Sequence, residues 1–269
     1  MQGNEHAIRL QPNGVGDSVD SQGQINYAVS VDGVTPSLTV YSINPSTGVL
    51  TKQLTNPVAG IGPMLAITPN GKYLYSIGPE LYEFSIDPAS GALSPLAGSP
   101  VAVPNSGTLV PAGVAIDPSG QFMYVTNAIQ GTGFGQSMDA WSIDSQSGAL
   151  SLISEFQPTP GPQGSIALDA SGKYAIVDTP VTSKTGPNCL SVLSIDSANG
   201  MLANVFGSPF PDPGGSCSVF TADPSAPFVY AAGSPGVSVY SLDEATGTPS
   251  FVTTLASSLY AVSSMVITH

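Results

Sequence analysis

Residues 115–127 read AIDPSGQFMYVTN: an apolar pair, then Asp, Pro, Ser and Gly, then a run rich in aromatic and β-branched side chains. An aspartate can bond the backbone amides that follow it, proline presets φ for the first turn position, and glycine accepts the left-handed conformation that closes a tight hairpin. The stretch therefore predicts two short antiparallel strands joined by a turn. Four variants recur along the chain, as VDSQGQINYAV, ITPNGKYLYSI, LDASGKYAIVD and ADPSAPFVYAA. The turn glycine stands at Gly23, Gly71, Gly120 and Gly172; the last copy has Ala226 in its place, which predicts a distorted hairpin.

A second turn alternates with the first: YSINPSTGVLT, FSIDPASGALS, WSIDSQSGALS, LSIDSANGMLA and YSLDEATGTPS. Its glycine is present in all five copies, at Gly48, Gly91, Gly148, Gly200 and Gly247. Each repeat thus supplies four strands, a and b around the first turn, c and d around the second. The serines that mark strand c, Ser42, Ser85, Ser142, Ser194 and Ser241, are 43, 57, 52 and 47 residues apart. That length suits one four-stranded antiparallel blade per repeat, and is short for a β-sandwich of about 100 residues. A lone blade cannot bury both faces, and stacking blades about an axis buries both while limiting exposed edges. The fold class is therefore all-β, a β-propeller with five visible blades.

The layout that follows is a polar leader over 1–14 and a single propeller domain over 15–269. Its blades span about 15–58 with 262–269, then 63–101, 110–157, 162–209 and 215–255. The tail SSMVITH aligns with PMLAITP and AGVAIDP, so Met265 to Thr268 read as a further strand a. Two arrangements stay open: this strand closes a ring of five blades, or the chain is part of a larger propeller.

The tetrapeptide Tyr124-Val125-Thr126-Asn127, with AIDPSGQFM before it and AWSIDSQSGAL after it, resembles the YVTN-type repeat of the lactonase-like propeller family, which includes 6-phosphogluconolactonases and muconate-cyclase relatives. The likeness runs over about 15–269; other copies depart from the tetrapeptide, as YSIG, IVDT and VYAA. It implies a β-propeller, seven blades as the usual number, and hydrolysis of cyclic esters as the activity.

Composition limits the partners. The chain has 269 residues, of which only 9% are charged, with 30 Gly and 25 Pro, a mixture of many short strands and tight turns. Eighteen acidic side chains against five basic ones give a net charge of -13. Such a surface repels nucleic acid and anionic membranes. No apolar h-region opens the chain and nowhere do eighteen apolar residues run together, so neither a signal peptide nor a membrane span is read, while the Ser- and Thr-rich, Lys-poor composition points to an extracellular or periplasmic protein. Cys189 and Cys217 match no zinc spacing; a disulfide and two separate thiols both remain open.

Strand a to b and c to d turns are short and uniform, whereas the b to c and d to a connections vary, as in NAIQGTGFGQSMD and DTPVTSKTGPNC against SIGPE and AAGSPG. Recognition is therefore expected on the face that carries the variable connections. Carboxylates Asp32, Glu80, Asp139 and Asp178 lie at or beside the b to c loops, where they suit a general base, a hard divalent cation such as calcium, or plain solvation. Lys184 is the one lysine expected on that face. The only arginine is Arg9 and the only histidines are His6 and His269, near the ends of the chain. Tyr75, Tyr124, Tyr230, Tyr41, Trp141 and Tyr240 recur at blade spacing and read as packing between blades. A full structural repeat with so sparse a catalytic inventory predicts a noncatalytic propeller that binds a protein, glycan or small ligand. The alternative is a lactonase-type hydrolase of an uncharged cyclic ester using one of these carboxylates, with or without a divalent metal.

Overall fold

The computed structural model of the chain describes residues 14–256 apart from 20–24, 33–34, 45, 58–60, 63, 105–106, 130–134, 158–163, 180–187, 214–218 and 234–235, together with Met265; side chains are described from Leu38 onward, save those at 54–57, 135–136, 188–189 and 256. Among the described residues there is no helix. The strands form five antiparallel sheets, each in chain order. The first holds β1 (Gly14–Val19), β2 (Ile25–Asp32), β3 (Thr35–Ile43) and β4 (Leu50–Pro57). In the second are β5 (Met64–Ile67), β6 (Tyr73–Ile77), β7 (Glu80–Ile86) and β8 (Leu93–Pro95), with β9 (Val101–Ala102) pairing β7. The third is β10 (Leu109–Ile116), β11 (Phe122–Ile129), β12 (Gly135–Ile143) and β13 (Leu150–Phe156). The fourth is β14 (Ile166–Leu168), β15 (Tyr174–Asp178), β16 (Asn188–Ile195) and β17 (Leu202–Asn204), with β18 (Phe210–Pro211) pairing β16. The fifth is β19 (Val219–Ala222), β20 (Phe228–Ala232), β21 (Gly236–Leu242) and β22 (Pro249–Ala256).

The turn chemistry explains why the strands begin and end where they do. Between β10 and β11, Asp117 Oδ1 accepts the amides of Gln121 at 2.8 Å and Phe122 at 2.7 Å, while Oδ2 accepts the amide of Ser119 at 3.0 Å and its hydroxyl. Asp169 repeats this with Ser171 and Tyr174, and Thr68 Oγ1 accepts the amide of Tyr73 at 3.1 Å. In the fifth sheet, where Ala226 replaces the glycine, Asp223 accepts the amides of Ser225 and Ala226, and the Phe228 amide turns to the Ala226 carbonyl at 2.8 Å. The distorted hairpin expected there is present. In the second turns a side-chain oxygen of Asn44, Asp87, Asp144 or Asp243 accepts the amides two and three residues on.

The described residues form two compact units, one reaching to Gly107 and including the hairpin Ile143–Leu150, the other holding Thr108–Ser142 and the chain from Ser151 onward. In the first, Leu38, Val40, Ile61, Leu65, Leu74, Phe84 and Ile86 pack together. The hairpin is held by three side chains of the second sheet: Tyr73 donates to the Gln146 carbonyl at 2.6 Å, Tyr75 to that of Gly148 at 2.8 Å, and Glu83 Oε1 accepts the Leu150 amide at 2.7 Å. In the second unit, Phe122, Tyr124, Met138 and Ala140 of the third sheet pack on Ala175, Val177, Leu193 and Ile195 of the fourth. The opposite face of the fourth sheet, with Tyr174, Ile176, Leu190 and Val192, packs on Phe220, Val229, Ala231 and Tyr240 of the fifth. Of the recurrent aromatics, Tyr124 and Tyr240 belong to these packed groups, and Tyr124 also donates to the Gly200 carbonyl at 3.1 Å.

One repeated feature escapes the sequence reading. The outer strand of the second and fourth sheets is interrupted by Gly98-Ser99-Pro100 and Gly207-Ser208-Pro209, each with a cis Ser–Pro bond. Ser99 Oγ accepts the Glu83 amide at 2.9 Å, and Ser208 Oγ accepts the Val192 amide at 3.0 Å. These sheets therefore have outer strands of 3 residues, β8 and β17, where β13 has 7 and β22 has 8.

Candidate functional site

In the third sheet the register of β11 against β12 sets Asn127 opposite Ser137, Val125 opposite Asp139 and Met123 opposite Trp141. Directly opposite residues share a face, so a polar group, Asn127, Ser137 and Asp139, lies beside apolar Val125, Met123 and Trp141. All six side chains are buried. Asn127 Nδ2 donates to Asp139 Oδ2 at 2.9 Å and to Ser137 Oγ at 3.3 Å. Burial pushes the Asp139 carboxyl up to about 6; the Asn127 hydrogen bond opposes the shift and the charge of Glu155 adds to it. A carboxyl near 6 exchanges its proton close to neutral pH, which is what a general base requires.

The structure thus corrects the solvated-loop reading of Asp139. It lies four residues inside β12, 1% exposed, because strand alternation turns it to the same buried face as Trp141. Asp178 also departs from that reading: it is the last residue of β15, buried, and its Oδ1 accepts the Gly164 amide at 2.8 Å. The carbonyl of the same glycine accepts Thr126 Oγ1 at 2.7 Å, so Asp178 serves to fix the entry to β14. Glu80 opens β7, is exposed, and accepts the Tyr82 hydroxyl at 3.1 Å. Burial first and the Glu80 carboxylate second raise the Tyr82 phenol. Asp32 ends β2, paired with Thr35. Its side chain, that of Cys189, and the whole of Lys184, Cys217, Arg9, His6 and His269 lie outside the described residues, as does the strand read over 266–268.

Two buried carboxylates were not singled out in the sequence. Glu83 is 1% exposed at a position where the following repeats carry Ala140, Val192 and Val239. Burial raises its carboxyl, and the hydrogen bond from Leu150 offsets part of the rise. Asp212, just past β18, accepts the hydroxyls of Tyr240 and of Ser238, the latter at 3.0 Å, and so ties this segment to β21. Aligning the strand c serines would have shown Glu83 standing in an apolar column. Among the described residues, no group of three or more His, Cys, Asp or Glu is placed to share a metal ion.

Four-stranded antiparallel sheets repeated in this way define a multi-bladed β-propeller. No family model and no curated protein sequence matches the chain. Solved structures do. The periplasmic gluconolactonase of Pseudomonas aeruginosa matches with 17% identity over 90% of this chain and 69% of that one, at a TM-score of 0.67. A protein assigned as a 6-phosphogluconolactonase in Bacteroides uniformis matches with 19% identity over 91% of this chain and 85% of that one, at 0.59. A functionally unknown protein from Desulfotomaculum acetoxidans reaches 0.68 with 18% identity, over 94% and 73% of the two chains. The chain has the fold of the lactonase-like propellers.

Proposed function

We propose that this propeller is a hydrolase of the lactonase class, acting on an uncharged cyclic ester with Asp139 as general base. The observation that carries the reading is the Asp139 carboxyl, buried, oriented by Asn127 and pushed up to about 6. The fold shared with a gluconolactonase supports it at the level of class. A carboxyl only 1% exposed cannot reach a lactone ring itself, so it acts through water. The water oxygen bonds to the ester carbonyl carbon while its proton passes to Asp139. The ring C–O bond then breaks and its oxygen takes up the proton, giving the open hydroxy acid. The net charge of -13 favours a neutral substrate over an anionic one.

Titration at constant pH of uncharged five- and six-membered lactones tests this, run with chelator and again with calcium, magnesium or manganese. Opening above background that falls at least about 10²-fold in folded Asp139→Asn is expected. Unchanged turnover in that variant removes Asp139 from the role.

The second reading, ligand binding without turnover, rests on the b to c connections, which run over 78–79 in the second sheet, 130–134 in the third and 179–187 in the fourth. A protein, glycan or small molecule retained by the chain, with no lactone opened, would favour it. In either case the composition and the periplasmic relative support a place outside the cytoplasm.

A further inference from the structure

Asn127 uses its two ends unequally. Its Nδ2 is shared between Ser137 and Asp139, while its Oδ1 has no hydrogen-bond partner although the side chain is 1% exposed. Turning the amide over would set its oxygen against the carboxylate, acceptor facing acceptor, so the arrangement has one favourable sense. Buried carboxamide oxygens are nearly always satisfied, and one left open marks a place where a bound donor belongs. Trp141 Nε1 on the same face is also without a partner.

The neighbouring repeat carries a parallel. The residue three past Tyr75, Tyr124, Ile176 and Tyr230 is Gly78, Asn127, Thr179 and Gly233. In the third and fourth repeats the side chain at this position is buried and an oxygen, Asn127 Oδ1 or Thr179 Oγ1, lacks a partner; the first repeat has Ser30 there, whose side chain lies outside the described residues. The second and fifth repeats have no side chain there. Among the described side chains an unpartnered acceptor thus stands at the same register point twice, and Asn127 is the one whose amide bonds a carboxylate.

We propose that Asn127 is a positioning residue whose Oδ1 holds the water that Asp139 deprotonates; this rests on the reading of Asp139 as general base. The two ends of the carboxamide leave one carbon in one plane. An amide whose N–H fixes Asp139 therefore fixes, with its oxygen, the place of a donor beside that carboxylate. A water serves as that donor, and water needs two or more polar partners to be held. Asn127 Oδ1 and the carboxylate supply two. The bound water then points one O–H at Asn127 and the other at Asp139, which leaves its oxygen lone pair for the ester carbon.

The test compares wild type with Asn127→Leu, which removes both ends of the amide, and Asn127→Thr, which restores an acceptor of the kind found at Thr179. Lactone kcat and KM, the titration of the Asp139 carboxyl followed by isotope-edited infrared spectroscopy, and a crystal structure of the wild type at atomic resolution are read out. We expect a water within hydrogen-bond distance of Asn127 Oδ1, and kcat lowered about 10²-fold in Asn127→Leu with KM unchanged. Asn127→Thr should recover at least about tenfold of that loss, and the carboxyl should titrate higher in Asn127→Leu than in wild type. A wild type that turns over lactones while Asn127→Leu keeps kcat within about twofold overturns the proposal, as does a dry Oδ1. Should wild type open no lactone yet show the water and the coupled titration, the hydrolase reading fails and the water site stands. If Asn127→Leu does not fold, Asn127→Thr and the wild-type crystal decide: a kcat in Asn127→Thr equal to wild type together with a dry Oδ1 overturns the proposal.

Discussion

The hydroxyl of Tyr124 donates to the carbonyl of Gly200 at 3.1 Å, across 76 residues of chain. The same glycine has φ +73°, and a Cβ there would stand 2.5 Å from the Phe122 ring. Strand b of the third sheet thus closes over the second turn of the fourth. Two demands meet at Gly200, a left-handed backbone and an aromatic ring with no space before it. Tyr124→Phe should cost about 1 kcal/mol, the net worth of one hydrogen bond. Gly200→Ala should cost about 2–3 kcal/mol, from the left-handed conformation and overpacking together. Urea denaturation of both variants checks the order; a Gly200→Ala protein as stable as wild type would contradict the packing described.

Asp139 should make the protein less stable as pH rises. In the unfolded chain an aspartate titrates near 3.9, and in the fold Asp139 is pushed up to about 6. The folded state holds the proton more tightly, so this contribution is complete below about pH 4, shrinks between the two values and is lost above about pH 6. Asp139→Asn carries no charge to bury. It should therefore gain about 3 kcal/mol over wild type at pH 8 and little at pH 4. Thermal melts of both proteins across that range would show curves that diverge with pH; parallel curves would exclude a buried, proton-holding carboxyl.

Glu83 offers a comparison in the other unit. Its carboxyl is raised by burial, with the Leu150 amide as its hydrogen-bond donor. Glu83→Gln retains an acceptor and loses the charge, so it should be more stable than wild type at neutral pH and lose that advantage in acid. Glu83→Leu leaves the Leu150 amide without its partner, at a cost of about 2 kcal/mol. The two substitutions should therefore move the urea midpoint at pH 7 in opposite directions.

Turn aspartates differ in what they hold. Asp117 accepts from the amides of Ser119, Gln121 and Phe122 and from the Ser119 hydroxyl, whereas in the fifth sheet the corresponding Phe228 amide bonds the Ala226 carbonyl. Asp117→Ala should cost about 2 kcal/mol, and Asp223→Ala less. Hydrogen exchange at the Phe122 amide reads the first change directly, since that amide loses its side-chain acceptor; unaltered protection would show that the strand ladder alone suffices.

The hairpins and the propeller class were legible because they rest on local chemistry: an Asp or Thr that folds back on the next amides, a glycine before the strand, and a repeat length that fits four strands. The candidate site was not, since burial depends on which face a residue takes. Asp139 reads as a loop carboxylate until the register with Val125 turns it inward beside Trp141. Asn127 reads as the last letter of YVTN, with nothing local to show that its amide meets an acid twelve residues on. Glu83 was recoverable, as it stands where other repeats keep Ala or Val. Among the described residues the Gly-Ser-Pro breaks in the outer strand occur in two repeats, and their effect is a serine hydroxyl accepting an amide 16 residues earlier in the chain.

Those breaks leave the periphery uneven. In the second and fourth sheets the open row of backbone donors and acceptors is cut after three residues, while β22 presents eight. PSFVTTLA carries no charge, and Val252 and Leu255 are 53% and 62% exposed. Long, uncharged margins are where strands of separate molecules add to one another, and in β22 the register shift at Val252 is the break that opposes it. Compared with the second and fourth sheets, the fifth therefore offers the longer margin for strand addition, and the net charge of -13 opposes such addition between copies of the chain.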